Sequence, residues 1–109
     1  MKMKDIPFAT TDWETAPRTE HRGERGAATW RTREFGDIRV RMVEYSPDYR
    51  AAHWCSKGHI LLVLEGELVT ELADGGRHVL KAGQSYQVAD GAPPHRSTTT
   101  TGARLFIVD

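Results

Sequence analysis

Short apolar stretches alternate with turns rich in glycine and proline from about residue 35 of this 109-residue sequence onward. Asp74, Gly75 and Gly76 give the strongest hairpin signal, because glycine tolerates the positive φ that tight hairpin turns require. Further turns are predicted at 46–48, 81–83, 90–94 and 102–103. No stretch of twelve or more residues shows helical periodicity. This rhythm of about six to eight short strands predicts an all-β fold, either a sandwich or a small barrel.

Two of the predicted strands differ in their expected burial. Residues 38–43 alternate apolar and basic side chains, which is typical of a strand buried on one face. Residues 60–64 are continuously apolar, which predicts a strand buried on both faces. The chain is expected to bend at 65–67 and to enter another strand at 68–72.

The first 34 residues have a different texture, polar and interrupted by two prolines and two glycines. Their charged residues are densest between Arg18 and Arg25. We therefore predict an irregular N-terminal arm over 1–34, which packs on the barrel or on a partner subunit. Residues 35–109 are expected to form the barrel itself, as one domain with a single core.

The charges of the chain balance, with 15 acidic and 15 basic residues. This balance gives no electrostatic reason to expect nucleic acid or an anionic membrane as a partner. The longest apolar run, 60–64, is far too short for a membrane span, and we expect neither a signal peptide nor an anchor. A single cysteine cannot form an internal disulfide, which fits a reducing compartment and predicts a cytoplasmic protein.

Candidate metal ligands cluster in the middle of the chain. His53, Cys55 and His59 fall within seven residues, and His95 follows a proline-rich loop. In an extended strand His53 and Cys55 point to the same face, and a bend at 57–58 can return His59 to it. Three imidazoles and a thiolate make a complete metal-ligand set. On spacing alone, the alternative remains that these four are unrelated strand and turn residues that form no metal site.

The order of these residues matches two known signatures. The first is a His-x-His pair followed by an acid and a glycine, and its spacing is reproduced by His53, Cys55, His59 and Gly66. Cysteine here replaces the second histidine, and histidine replaces the acid. The second signature leads from a glycine through a proline and glycine loop to a histidine, and is matched, with one extra loop residue, by Gly83, Gly91, Pro94 and His95.

On these residues, the region from 35 to 108 resembles a cupin. The resemblance implies a double-stranded β-helix, that is, a jelly-roll barrel with the metal inside. More narrowly, the run from Ala52 to Cys55 is similar to the motif of small single-domain DHCW cupins, a family without a well-defined activity. Ala52 stands where that motif has aspartate. A carboxylate beside a ligand histidine commonly fixes its orientation, so the replacement bears on metal affinity or activity.

The resemblance implies one mononuclear metal site with three histidines and one cysteine, namely His53, Cys55, His59 and His95. Imidazole and thiolate ligands favour zinc, with Fe(II) or nickel as alternatives. Four protein ligands complete a tetrahedral zinc site, as in structural zinc sites. Iron or nickel can take further ligands and still admit a substrate.

Two functions follow from such a site. In the first, the protein is a metal-dependent enzyme acting on a small molecule, with Tyr86 and Ser97 lining the pocket. In the second, it is a non-catalytic metal or small-ligand binding module, such as a sensor, with a partly structural metal. A metal-free β module is the third possibility. Because exposed sheet edges need covering, we also expect a homodimer.

Overall fold

The structure, a computed structural model, describes residues 3–109, which form an all-β fold. These residues contain no helix, and hence none that is long and apolar enough to cross a membrane. The predicted all-β class is confirmed. The strands are β1 Arg18–Arg22, β2 Ala27–Phe35, β3 Ile38–Tyr45, β4 Tyr49–Arg50, β5 His59–Leu72, β6 Arg77–Lys81, β7 Ser85–Val88, β8 His95–Thr99 and β9 Ala103–Val108.

The strands form one curled antiparallel sheet in the order β1-β2-β3-β9-β5-β8-β4, and β6 and β7 also pair with β5. Strand β5 is therefore central. Its first half pairs with β7 and β9, and its second half pairs with β6 and β8. The predicted hairpin turn at 74–76 joins β5 to β6, and Gly75 there has a φ of 102°.

Strand β5 is one bent strand where the sequence predicted two. The bend lies at a register shift between Val63 and Glu65, followed by Gly66 with a φ of 80°. A Cβ at Gly66 would collide with the backbone carbonyl of Gly102 on the neighbouring chain segment. A bulge and a glycine thus turn the strand without breaking it, as is common at barrel corners.

The apolar run at 60–64 is buried on one face, so the prediction of burial on both faces is wrong. Leu61 and Val63 are 1% and 0% exposed, whereas Ile60 and Leu64 are 45% and 36% exposed. Successive side chains of a strand point to opposite faces, and here only the inner face is packed. The core contains Val43, Leu61, Val63, Leu68, Leu80, Ala103, Leu105 and Ile107.

The strand predicted at 38–43 is confirmed as part of β3, but its basic residues do not all face solvent. Arg41 is only 6% exposed and lies in phase with Val43, a core residue. The reason lies directly after β9, where the backbones of Arg39 and Asp109 exchange two hydrogen bonds. This pairing places a carboxylate beside the arginines and allows them to be buried.

The irregular arm is shorter than predicted. Residues 3–17 form no strand, but β1 and β2 lie within the segment expected to be irregular up to residue 34. Ala28 is buried and Trp30 packs against the core. These two residues are two positions apart, which is the period of a strand. The charged cluster forms β1, an edge strand, where charges discourage pairing with other chains.

Candidate metal centre

The structure brings three of the four predicted ligands together inside the barrel. Ligand atoms of Cys55, His59 and His95 all lie within 4.8 Å of one another. Both histidines are buried, at 8% and 3% exposure, and Cys55 is partly buried. The Nε2 atoms of His59 and His95 are 3.0 Å apart. Two imidazole nitrogens and a sulfur therefore converge on one point.

Backbone pairing places Cys55 beside His95. The Cys55 N–H donates to the His95 carbonyl (2.8 Å), and the His95 N–H donates to the Cys55 carbonyl (2.9 Å). Residues that exchange both bonds in this way carry their side chains on the same face of the sheet. This alignment of two residues that lie 40 positions apart depends on the loop before β8.

His59 is positioned by the residue before it. The Gly58 N–H donates to Asp90 Oδ1 at 2.6 Å, and a Cβ at Gly58 would collide with the backbone at 88–90. The glycine therefore lets the chain approach the end of β7 closely. His59 is then the first residue of β5 and points to the inner face, in phase with Leu61.

His53 lies outside this group. The chain bends at Ala52 and His53, so His53 and Cys55 do not share an extended strand, contrary to the sequence-based expectation. The side chain of His53 is exposed and contributes to the lining of the cavity that holds the other three residues. The bend removes the period-two phase on which the prediction for His53 depended.

The three ligand candidates line a cavity of about 180 Å³. Tyr86 and Ser97, the residues predicted for the pocket, are also in its lining. The Tyr86 hydroxyl is 3.0 Å from His59 Nε2, and burial raises the pKa of Tyr86, so the hydroxyl stays protonated. Burial and the neighbouring His59 lower the pKa of His95, which favours the neutral imidazole that binds metals.

Sequence reasoning missed an ion-pair group next to the histidines. Asp109 accepts two hydrogen bonds from Arg39 (2.9 and 3.0 Å) and one from Arg41 (2.9 Å). Its Oδ2 also lies 3.7 Å from His59 Nδ1, an electrostatic contact longer than a hydrogen bond. For Asp109 the sequence carries one signal, because this residue follows Leu105 and Ile107 at intervals of two.

The carboxyl group of Asp109 is ionised in this setting. Burial by itself raises the pKa of a carboxyl group. Contacts with His59, Arg39 and Arg41 outweigh that effect and hold the pKa of Asp109 well below its usual range. A fixed negative charge therefore lies behind the His59 ring, on the side away from the other ligand candidates.

Comparison with solved structures identifies the architecture. An RmlC-like cupin from Shewanella frigidimarina matches with a TM-score of 0.72 and 19% identity, over 94% of this chain and 90% of that chain. The chain has the cupin fold. A cupin-superfamily sugar phosphate isomerase from Silicibacter pomeroyi matches with a TM-score of 0.73 and 18% identity, over 92% and 74% of the two chains.

A third similar structure, Fe(II)-HppE with an alternative substrate, has a TM-score of 0.77 and 16% identity. The match covers 96% of this chain and 62% of HppE. These likenesses confirm the expected jelly-roll barrel, and at such identities they bear on the fold alone. No protein-family model and no curated protein sequence matches the chain, so the narrower resemblance to DHCW cupins stays a prediction.

Proposed function

We propose that this cupin binds one divalent transition metal through Cys55, His59 and His95 and is an enzyme acting on a small molecule. The observation that carries the proposal is the convergence of these three donors, within 4.8 Å of one another, on an internal cavity. Dedicated metal sites in cavities of this kind are more often functional than structural when a ligand position stays open.

The distances fit a shared metal ion. Two imidazole nitrogens bound to zinc at about 2.1 Å lie about 3.0 to 3.4 Å apart for angles between a right angle and a tetrahedral one. The 3.0 Å between the two Nε2 atoms falls at the lower end of this range. The Nδ1 atoms of both histidines are buried and have no hydrogen-bond partner among residues 3–109. Both rings thus have Nε2 directed to the site.

Asp109 can replace the carboxylate that the sequence lacks at position 52. Ligand histidines usually donate their second ring N–H to a carboxylate or a carbonyl, which fixes the tautomer. Asp109 Oδ2 is the charged oxygen facing His59 Nδ1, at 3.7 Å. A proton held on Nδ1 leaves Nε2 of His59 free to bind metal. The presence of Ala52 therefore does not leave the site without a supporting carboxylate.

Imidazole and thiolate ligands suit zinc, Fe(II) and nickel. We propose zinc first, with Fe(II) and nickel as alternatives. Three protein ligands are the number found at catalytic zinc sites, which keep a further position for water or substrate. When bound, such an ion supplies Lewis-acid polarisation of a substrate oxygen. The Fe(II) of the HppE structure belongs to a protein with the same fold and supports iron as an alternative here.

The residues of the chain shape the surroundings of that position. The protonated Tyr86 hydroxyl, 3.0 Å from His59 Nε2, is placed to donate a hydrogen bond to a molecule bound beside the histidines. Ser97 is buried in the same lining. Leu61 and Ile107 are buried and form part of the apolar lining of the cavity.

Metal stoichiometry tests the ligand set. Metal-free protein is titrated separately with Zn²⁺, Fe²⁺ and Ni²⁺ by calorimetry, and bound metal is measured by elemental analysis. We expect one ion per chain in the wild type and a strong loss in Cys55→Ser. His53→Gln is the matched control, and we expect it to keep one ion per chain. Equal loss in both variants would instead restore His53 to the ligand set.

An open ligand position separates an enzyme from a structural site. The Co²⁺-loaded protein is expected to show a sulfur-to-cobalt charge-transfer band that is absent in Cys55→Ser. Addition of azide is then expected to change the visible cobalt spectrum, because an exchangeable position is available. An unchanged spectrum at saturating azide would point to a closed, structural metal and to the binding-module alternative.

A further inference from the structure

Three arginines and one carboxylate line the cavity that holds the metal-ligand candidates. Arg96 is paired with Glu71, which lies outside the lining, whereas Arg39 and Arg41 share Asp109. Arg39 binds both oxygens of Asp109, through Nε to Oδ1 at 2.9 Å and through Nη2 to Oδ2 at 3.0 Å. Arg41 makes a single contact, from Nη2 to Oδ2 at 2.9 Å. The bidentate pair with Arg39 is the stronger one, since two parallel bonds match the carboxylate geometry. One positive charge in this group is therefore uncompensated.

Arg41 carries that charge in a buried position. Its side chain is 7% exposed, and its Nε has no hydrogen-bond partner among the described residues. The guanidinium lies over the ring of Trp30, with 4.3 Å between Cζ and the ring centroid. This contact fixes the orientation of the guanidinium plane. A buried guanidinium with unused donors is unfavourable unless another group satisfies them.

Several hydrogen-bond donors line the cavity beside Arg41. Arg41, Tyr45, Tyr86 and Ser97 all contribute to the lining that also contains the three metal-ligand candidates. A tyrosine hydroxyl is protonated at neutral pH, so Tyr45 and Tyr86 can both donate a hydrogen bond to a bound anion. Within residues 3–109, Asp109 is the one carboxylate of this lining, and the arginines already occupy it.

We infer that Arg41 binds the carboxylate of a small organic acid inside this cavity, next to the donors of Cys55, His59 and His95. A single carboxylate matches the single uncompensated charge, and the planar guanidinium matches its shape. The volume of about 180 Å³ has room for an acid of a few carbon atoms. The inference that this acid is the substrate rests on the proposed function. Binding of an anion by Arg41 does not require a metal.

Pairs of molecules that differ in charge but hardly in shape test the inference. Metal-free and Zn²⁺-loaded full-length protein are titrated by calorimetry with acetate and acetamide, and with glycolate and glycolamide, in a low-salt buffer without chloride. We expect at least one of the two acids to bind about tenfold or more tightly than its amide, since the charge-assisted bonds to Arg41 are lost in the amide. Equal binding of acid and amide in both pairs would overturn the inference.

Variants locate the binding to Arg41. Arg41→Met removes the charge and is expected to abolish the preference for the acid. Arg41→Lys keeps the charge without the planar fork and is expected to bind the acid about tenfold more weakly. Arg104→Gln is the matched control, because Arg104 pairs with Glu65 at an exposed position outside the cavity and should leave binding unchanged. Wild-type affinity in both Arg41 variants would contradict the assignment.

If Arg41→Met does not fold, the acid and amide pairs on the wild type and on Arg41→Lys still decide the question. Inorganic phosphate is the comparison anion, and binding about tenfold tighter than both acids would exclude a carboxylate as the preferred group. Acid binding without metal binding would refute the proposed function and leave this inference standing. One bound metal per chain, with no preference for either acid over its amide, would support the proposed function and overturn this inference.

Discussion

Strands β5 and β9 each carry two kinds of inward-facing residues. On β5, His59 precedes the buried Leu61 and Val63, and on β9 the buried Leu105 and Ile107 precede Asp109, the residue directly after the strand. The strands are antiparallel neighbours, so their polar ends lie side by side and their apolar stretches pack together. The same alternation of the backbone thus builds a dry core and a polar site within a few residues.

The two regions differ in how completely their contacts are satisfied. Apolar side chains of the core lose nothing by excluding water, and they stabilise the fold in proportion to the area they bury. At the polar end, several buried atoms have no hydrogen-bond partner within residues 3–109, among them His59 Nδ1, His95 Nδ1 and Arg41 Nε. Stability and ligand binding should therefore be separable by substitutions on the same strands.

The largest effect is expected from the apolar stretch. Leu105 is fully buried, and Leu105→Ala should lower the free energy of unfolding by about 2–5 kcal/mol through lost burial and a new cavity. Urea denaturation of metal-free protein measures the change. The folded fraction should still bind one metal per chain, and a specific loss of metal with stability intact would break the separation between the two regions.

A second large effect is expected from Asp109→Asn, which leaves the buried Arg41 and the half-buried Arg39 without their carboxylate. We expect the metal-free protein to lose about 3 kcal/mol of stability. Asp48→Asn is the control, because Asp48 pairs with Arg25 at an exposed site, where loss of a salt bridge costs about 0–1 kcal/mol. Similar melting temperatures for the two variants would show that the buried group does not stabilise the fold.

His95→Gln should act mainly on binding. We expect metal affinity to fall at least about 100-fold, because a direct ligand is lost, while the unfolding free energy of the metal-free protein changes by about 1 kcal/mol or less. His78→Gln serves as control, since His78 is exposed and lies outside the ligand group. Competition with a chelator of known affinity measures the difference, and a twofold effect or less would remove His95 from the site.

The smallest effect is expected on the outer face of β5. Ile60 is adjacent to His59 and Leu61 in sequence but is 45% exposed. Ile60→Ser should change the unfolding free energy by no more than about 0.5 kcal/mol and leave metal binding unchanged. A loss comparable to that of Leu105→Ala would mean that this face is covered in solution, for example by a second copy of the chain.

Part of the site could be predicted from local spacing. Cys55, His59 and His95 were identified because two short motifs keep their order on a β pattern, and the structure brings these three together. His53 was expected beside them on the assumption of a straight strand, whereas the chain bends at 52–53. Side chains two residues apart lie on the same face only where the backbone is extended. The spacing of residues in the sequence does not reveal where the backbone bends.

Arg41 and Asp109 could not be assigned in the same way. An alternation of apolar and basic residues in β3 usually means that the basic side chains face water, and Arg41 reverses that expectation. Its burial depends on Asp109, which lies 68 positions away and is brought to it by the pairing of β3 with β9. The interaction is a product of strand register, which distant parts of the chain determine together.

The sequence by itself determined the all-β class, the hairpin at 74–76 and three of the candidate ligands, because turn chemistry and strand periodicity act over a few residues. Only the tertiary structure decided that His53 lies outside the cluster of Cys55, His59 and His95, that β5 is a single bent strand, and that a carboxylate and two arginines lie behind His59. These features arise from long-range pairing of β5, β3 and β9, which buries charges that the local pattern assigns to solvent.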